Sequence, residues 1–141
     1  MRIEAQLTTE RIVPPNISGL GPDGGIGALA EFSGVVRGEE DGRTITALEY
    51  EAYHGMALAV MRKLLEQLGQ HHPCTGVWVI HRVGVVPVGE AAIWIGVAAS
   101  HRREAFALLA EFMDQLKQDV PIWKRRALFA PATDTAAGPT P

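Results

Sequence analysis

Residues 76–99 read GVWVIHRVGVVPVGEAAIWIGVAA and predict the centre of the fold. The first part alternates two sets of side chains, with Val77, Val79 and His81 on one side and Trp78 and Ile80 on the other. This alternation, with apolar residues in both sets, indicates a strand buried on both faces. A second apolar run, 91–99, follows a Pro-Val-Gly turn at 87–89. We therefore expect two neighbouring strands that form a central hairpin.

Helical spacing flanks these strands on both sides. Apolar residues recur every three to four positions over about 55–70, which predicts an amphipathic helix that ends near Gly69 and is stopped by Pro73. A second helix is predicted after Ser100, a favoured N-cap residue type, and ends at Pro121. Its buried stripe consists of Ala105, Leu108, Leu109, Phe112, Met113 and Leu116.

Three further strands are predicted before the first helix. Residues 3–7 alternate at strand period, 26–37 form a mostly small and apolar strand bent at Gly34, and 44–53 form a strand with one solvated face. The segment 14–25 is rich in proline and glycine and therefore predicts a loop.

The element order β-β-β-α-β-β-α favours an α+β fold with a largely antiparallel sheet and two main helices packed on one face. A length of 141 residues is typical of a single domain, which we place in residues 1–126. Residues 127–141 are rich in alanine, proline and threonine and predict a loose tail.

Composition excludes several classes of protein. The chain has 13 Lys+Arg, 16 Asp+Glu and 47% hydrophobic residues, which argues against disorder and against a general nucleic-acid binder. The N-terminus lacks the apolar block of a signal peptide, and the longest apolar run is far shorter than the ~20 residues that span a bilayer. The single cysteine, Cys74, excludes an internal disulfide framework. We expect a cytoplasmic protein with no membrane association.

Two motifs suggest ligands but are better explained otherwise. Residues 19–24 match the glycine spacing of a dinucleotide site, yet Pro22 interrupts them and strand-like residues follow, which favours a surface loop. Residues 71–74 (His-His-Pro-Cys) have no second ligand cluster, so we interpret them as the end of a helix. His81 is interpreted as a core or interface histidine with a hydrogen-bonded ring. No metal and no cofactor are assigned.

The basic residues are distributed unevenly. Six of the 13 cations lie in the last quarter of the predicted fold: Arg102, Arg103, Lys117, Lys124, Arg125 and Arg126. They predict a locally positive site for a small anion. Cations in the first turn of a helix lose roughly 0.3–1 kcal/mol each against its dipole. Either His101, Arg102 and the free backbone N–H groups bind a phosphate or carboxylate, or the side chains are solvated or paired with Glu104.

No nucleophile is apparent. Cys74 lacks an activating partner nearby in the sequence, and Glu39 and Glu40 lie in a predicted turn where we expect them to be solvated. Sulfur or covalent chemistry would need a group from elsewhere.

Ile122 and Trp123 are apolar enough to pack on the domain and hold the following lysine in place.

Five blocks together resemble the catalytic (large) subunit of molybdopterin synthase, over about residues 25–126. The blocks are Phe32-Ser33-Gly34-Val35-Val36-Arg37, residues 48–57, Ile80-His81-Arg82-Val83-Gly84, Ser100-His101-Arg102, and residues 116–125 with Leu116-Lys117 and Pro121-Ile122-Trp123-Lys124-Arg125. Their shared order and spacing are more specific than any single block.

The resemblance implies an α/β hammerhead-like fold and an enzyme of molybdenum cofactor biosynthesis. Such a sulfurtransferase converts cyclic pyranopterin monophosphate (precursor Z) into molybdopterin by inserting two sulfurs that form a dithiolene. The sulfur arrives as a thiocarboxylate on the C-terminal Gly-Gly of a small ubiquitin-like subunit. Two large subunits form a homodimer within a 2+2 heterotetramer.

The resemblance also implies a substrate pocket. Its residues are Val35, Val36, Arg37, His101, Arg102, Lys117, Lys124, Arg125 and Arg126, with Lys117 and Lys124 as catalytic residues. Lys117 would polarise the thiocarboxylate carbonyl or move protons, and Lys124 and Arg37 would hold the cyclic phosphate with the 101–102 turn. Three features depart from the family pattern. Arg126 stands where the family usually has an acidic residue, and Val35 stands where it often has a lysine. The Ala/Pro-rich tail replaces a longer C-terminal segment.

The alternative from another class is a non-catalytic α+β module that binds an anionic metabolite or a protein C-terminal tail. Lys117→Arg separates the two, because a binding site needs only the cation whereas proton transfer needs a positioned amine. A nucleic-acid binder ranks third, since the single basic cluster has no interleaved aromatic residues.

Overall fold

The computed structural model describes residues 1–17 and 24–131. It contains eight strands and two helices in these residues: β1 Arg2–Thr8, β2 Ala28–Val35, β3 Glu39–Glu40, β4 Arg43–Ala52, α1 His54–His71, β5 Gly76–Arg82, β6 Gly84–Pro87, β7 Ala91–Ala99, α2 Arg102–Asp119 and β8 Ile122–Phe129. The glycine motif at 19–24 falls almost wholly outside them, as does the end of the tail.

The first sheet has the strand order β1-β5-β7-β2. Its centre is the antiparallel pair of β5 and β7, with Val79 opposite Ile95. The predicted central pairing is therefore confirmed, although the two strands are not a simple hairpin. Gly84, the first residue of β6, has φ +86°, a backbone conformation that other residues rarely adopt, and permits the chain to change direction after β5. The following β6 pairs with β4 instead.

Both helices pack against the first sheet, α1 beside β1 and α2 across β2 and β7. The apolar stripes identified in the sequence form the core between them, where Met61, Leu65, Leu108 and Phe112 are fully buried. The predicted α+β class with two helices on one face is confirmed. Neither helix in the described part of the chain is long and apolar enough to cross a membrane.

A second sheet is built on β4, which pairs with β3, β6 and β8. The expected single sheet is thus two sheets, and all strand pairs of the described residues are antiparallel except β1 with β5. The proposed tail boundary after residue 126 is too early, because β8 continues to Phe129. Ala127 pairs with Leu48 and packs on the small core beneath this sheet.

The start of α2 also differs from the prediction. His101 is the N-cap residue and Ser100 is not, and the cap has no side-chain hydrogen bond. The Ser100 hydroxyl instead donates to the carbonyl oxygen of Gly25, at 3.0 Å, and so fixes the loop that enters β2. At the other end of β2, the predicted bend is confirmed by a shift in register between Gly34 and Val35.

Candidate active site

A cavity of about 580 Å³ opens where the two sheets meet the C-terminal end of α2. Its wall is partly apolar and aromatic and includes Phe32, Leu48, Tyr50, Met113, Leu116, Ile122 and Trp123. The same wall carries three cations, Arg37, Lys117 and Lys124. A volume in this range is typical of pockets for small molecules.

The three cations come from three different elements. Arg37 follows β2, Lys117 lies in the last turn of α2 as predicted, and Lys124 lies on β8. No ion pair joins Arg37 or Lys117 to another residue in the described segments. Two of the three positive charges are therefore available to an anionic ligand.

The segment after Pro121 holds Lys124 against the domain, as expected. The Tyr53 N–H donates to the Pro121 carbonyl oxygen at 3.2 Å, and Ile122 packs on the main core. The rings of Tyr53 and Trp123 lie 5.2 Å apart. Because β8 pairs Lys124 with Tyr50 of the central strand β4, the lysine is anchored by sheet hydrogen bonds on a packed element.

Val35 and Val36 both line the cavity but differ in solvent exposure. Val36 is buried, and its N–H donates to the Glu90 carbonyl oxygen at 3.0 Å, whereas the Val35 side chain is exposed. The register shift at Gly34 lies directly before them. We infer that it helps to direct the chain, and Arg37 with it, toward the cavity.

Glu40 is the main correction at the site. The sequence predicts a solvated turn residue, but Glu40 lines the cavity and its carboxylate lies 3.5 Å from the Lys124 ammonium. Asp41 and Gly42 form the turn that follows, both at positive φ. A tight two-residue hairpin of this kind fixes the direction of the residue before it.

His81 has the buried, hydrogen-bonded ring that the sequence suggested, and it also lines the cavity. Its Nδ1 lies 2.8 Å from the Arg82 carbonyl oxygen, which can only accept, so Nδ1 carries the proton. Burial lowers the pKa of His81, which the hydrogen bond to Arg82 partly offsets. The neutral ring contacts Tyr50 edge-on, with centroids 5.4 Å apart.

The lowered pKa of His81 predicts a pH-dependent stability. The unfolded chain takes up the proton near pH 6.5 and the folded chain only at lower pH, so the free energy of unfolding should fall as pH decreases below about 7. In His81→Gln this decrease should be shallower, as measured by urea unfolding from pH 7.5 to 5.5. The exposed His54→Gln serves as the control, and equal slopes in wild type and His81→Gln would contradict the assignment.

His101 and Arg102 lie far from Lys117 within one chain. They stand at the N-terminal end of α2, and Lys117 lies fifteen residues further along it, which corresponds to roughly 22 Å. Neither lines the cavity. Both side chains are exposed, and no ion pair links Arg102 or Arg103 to Glu104 in the residues described.

Arg125 and Arg126 also lie outside the cavity. Arg126 Nε lies 2.6 Å from Glu49 Oε1, and Arg125 Nε lies 3.3 Å from Glu51 Oε2. The register shift between Glu49 and Tyr50 lets both arginines reach Glu49 on the neighbouring strand. The structure thus separates this pair from Lys124, its neighbour in the sequence.

Cys74 is remote from the cavity. Burial, and to a lesser degree the charge of Glu104, raise the pKa of its thiol to about 11. The thiol is therefore protonated at neutral pH and a poor nucleophile. Nε2 of His72, at the end of α1, lies 3.3 Å from Glu111 Oε2. No group of three or more metal-ligating side chains forms within the described parts of the chain.

The fold and the cavity together define the class of protein. The molecule is an α+β protein whose two sheets, together with the end of α2, form a cationic pocket with an aromatic and apolar wall. Such a pocket suits a small, ring-containing anion, because cations can hold the charge while the apolar wall packs on the ring.

Comparison with known proteins identifies the family. The model of the MoaE protein family matches residues 7–119. Molybdopterin synthase catalytic subunit 1 of Aedes aegypti is 36% identical over 121 residues, covering 85% of this chain and 78% of that protein. The human molybdopterin synthase catalytic subunit is 37% identical over 119 residues, covering 84% of this chain and 63% of that protein.

A solved structure agrees with the sequence matches. Molybdopterin synthase from Staphylococcus aureus superimposes with a TM-score of 0.80 at 27% identity, covering 88% of this chain and 90% of that chain. The chain belongs to the MoaE family, and the resemblance found in the sequence is confirmed.

Proposed function

We propose that this protein is the catalytic subunit of a molybdopterin synthase. It converts cyclic pyranopterin monophosphate into molybdopterin with sulfur from the thiocarboxylate of a small ubiquitin-like subunit. One observation carries the proposal: in a chain of the MoaE family, Arg37, Lys117 and Lys124 converge from three elements on one cavity.

The cavity suits the chemistry of this substrate. A cyclic phosphate carries one negative charge, which Arg37 and Lys124 can bind through charge-assisted hydrogen bonds. A pterin ring is flat and aromatic, and Phe32 and Trp123 offer aromatic surface on the same wall.

The sulfur must come from outside this chain. Cys74 is the only cysteine, lies outside the cavity and has a protonated thiol. A carrier thiocarboxylate supplies sulfur already ionised. Its attack on a side-chain carbon of the pterin forms a C–S bond and breaks a C–O bond at that carbon, whose oxygen leaves with the electron pair and takes up a proton. Carrier and pterin are then joined through a thioester. Water cleaves the carrier's C–S bond, which leaves a carboxylate on the carrier and a thiol on the pterin.

Lys117 is the residue placed to act on the carrier. Its ammonium can polarise the thiocarboxylate carbonyl or move a proton while sulfur attacks, and no described carboxylate engages it. Lys124 and Arg37 hold the phosphate and stabilise developing charge. His81 presents a neutral ring on the same wall, and its remaining nitrogen, Nε2, can accept a hydrogen bond.

In this proposal, His101 and Arg102 contribute to the active site of a second copy of the chain. Since α2 separates them from Lys117 by about 22 Å, they can serve a cavity only in another protomer, as in a homodimer. Two small subunits then complete the 2+2 heterotetramer. Arg125 and Arg126, exposed beside the cavity, are left for contacts with the small subunit.

A cytoplasmic location is part of the proposal. A single unpaired cysteine fits a reducing compartment.

Reconstitution tests the function. Purified protein, mixed with a thiocarboxylated small subunit and cyclic pyranopterin monophosphate, should form the dithiolene product, detected after oxidation to its fluorescent form. A small subunit ending in a plain carboxylate is the control and should give none. Absence of product with the thiocarboxylated carrier would contradict the proposal.

A further inference from the structure

Two acidic residues, Glu39 and Glu40, line the cationic cavity, and Glu40 is the one that forms an ion pair with a described residue. The Glu40 carboxylate lies 3.5 Å from the Lys124 ammonium, and its side chain is only a quarter exposed. A carboxylate in a site for an anion should repel the ligand. Its presence therefore calls for a role toward the lysine with which it pairs.

The backbone fixes Glu40 in this place. Glu40 pairs with Arg43 across the β3–β4 hairpin, and the two residues between them, Asp41 and Gly42, have φ of 51° and 76°. Positive φ at both central positions is the geometry of the tightest hairpin turns. Since β4 also pairs with β8, one strand holds both Glu40 and Lys124 in register.

Glu40 also changes the field inside the cavity. Burial raises the pKa of Tyr50, and the negative charge of Glu40 raises it further. The negative charge of Glu40 therefore acts on Tyr50 in the cavity wall as well as on Lys124. Of the three cations in the cavity, only Lys124 is paired with a described residue.

We propose that Glu40 is a positioning residue for Lys124 that competes with the anionic substrate for the lysine's ammonium group. In the empty site the carboxylate holds the ammonium against the cavity wall. An entering phosphate takes over part of this contact, so Glu40 sets how tightly the cavity binds anions. The proposal rests on the proposed function, because it assigns Lys124 to the substrate phosphate.

A partly exposed ion pair is weak, so the expected effects are moderate. Glu40→Gln removes the charge and keeps the shape of the side chain. It should tighten binding of inorganic phosphate about two- to five-fold. In turnover it should lower both KM and kcat, because substrate and product phosphates are held more tightly while the ammonium loses its fixed position.

Glu39→Gln is the matched control. It removes the same charge one residue away on the same cavity wall, but Glu39 has no ion pair with a described residue. Phosphate binding to the full chain can be followed by NMR of the lysine side chains, since Lys63, Lys117 and Lys124 are the only lysines. Equal tightening in the two variants, or none in Glu40→Gln, would overturn the proposal.

A double-mutant cycle then isolates the pair. In the Lys124→Gln background, Glu40→Gln should no longer tighten phosphate binding. Undiminished tightening there would mean that Glu40 acts only by general repulsion, which would refute a positioning role. These binding measurements need no turnover. A chain that shows the coupling but makes no dithiolene product would contradict the proposed function and leave the role of Glu40 in anion binding standing.

Discussion

Lys117→Ala should lower the rate of molybdopterin formation about 100- to 10,000-fold, the usual contribution of a positioned acid–base group. The ammonium lies on the cavity wall and no described carboxylate engages it, so its removal deletes the group that we place beside the carrier's thiocarboxylate. The fold and the binding of the small subunit should be retained, because Lys117 is exposed on the last turn of α2. Single-turnover product formation measures the effect.

Two further variants test whether this loss of activity is specific to the amine of Lys117. Lys63→Ala, at an exposed position of α1 away from the cavity, should keep full activity. Lys117→Arg keeps the charge but not the compact amine, so an enzyme should remain strongly impaired while a simple anion-binding module would tolerate it. Near-normal turnover in Lys117→Ala would refute the catalytic assignment.

Mixing two inactive chains should restore activity if His101 and Arg102 serve the cavity of a second protomer. We expect Arg102→Ala and Lys117→Ala each to be impaired alone. When the two are refolded together, about half of the dimers contain one chain of each kind, and each mixed dimer has one intact site. Activity should return to about a quarter of the wild-type value.

The matched control combines two variants of the same cavity. Lys117 and Lys124 line one cavity in a single chain, so mixed dimers of Lys117→Ala and Lys124→Ala contain no intact site and should stay inactive. Equal rescue in both mixtures would contradict the shared site, as would no rescue in either. The readout is product formed per chain at equal dimer concentration.

Local pattern predicts the centre of this fold well. The period of Met61, Leu65, Leu108 and Phe112 identifies both helices, because each apolar stripe repeats at helical spacing. The two central strands are equally clear, since apolar side chains on both faces indicate a strand covered on both sides.

The sequence pattern does not predict strands whose pairing partners are distant in the sequence. β6 has only four residues and begins at Gly84, where the chain bends, so it has too few residues to show a period. β8 carries Lys124, Arg125 and Arg126 in succession, which looks like a solvated run. It is a strand because β4, more than seventy residues earlier, supplies its hydrogen-bond partners and the carboxylates that pair with its arginines.

The candidate site was only partly accessible from sequence. Family resemblance points to Arg37, Lys117 and Lys124, which the fold places on one cavity. The prediction that Glu40 is solvated is wrong, because the Asp41-Gly42 turn signal predicts a hairpin but does not show which surface the residue before the turn faces. His81 joins the site only through the packing of the two sheets.

The most direct measurement is a crystal structure of the Lys117→Ala protein with the small subunit and cyclic pyranopterin monophosphate, since the slow variant preserves the substrate. We predict the phosphate within about 3 Å of Arg37 and Lys124, and the carrier's C-terminal glycine in the same cavity beside position 117. A pterin or a carrier terminus bound outside this cavity would contradict the account.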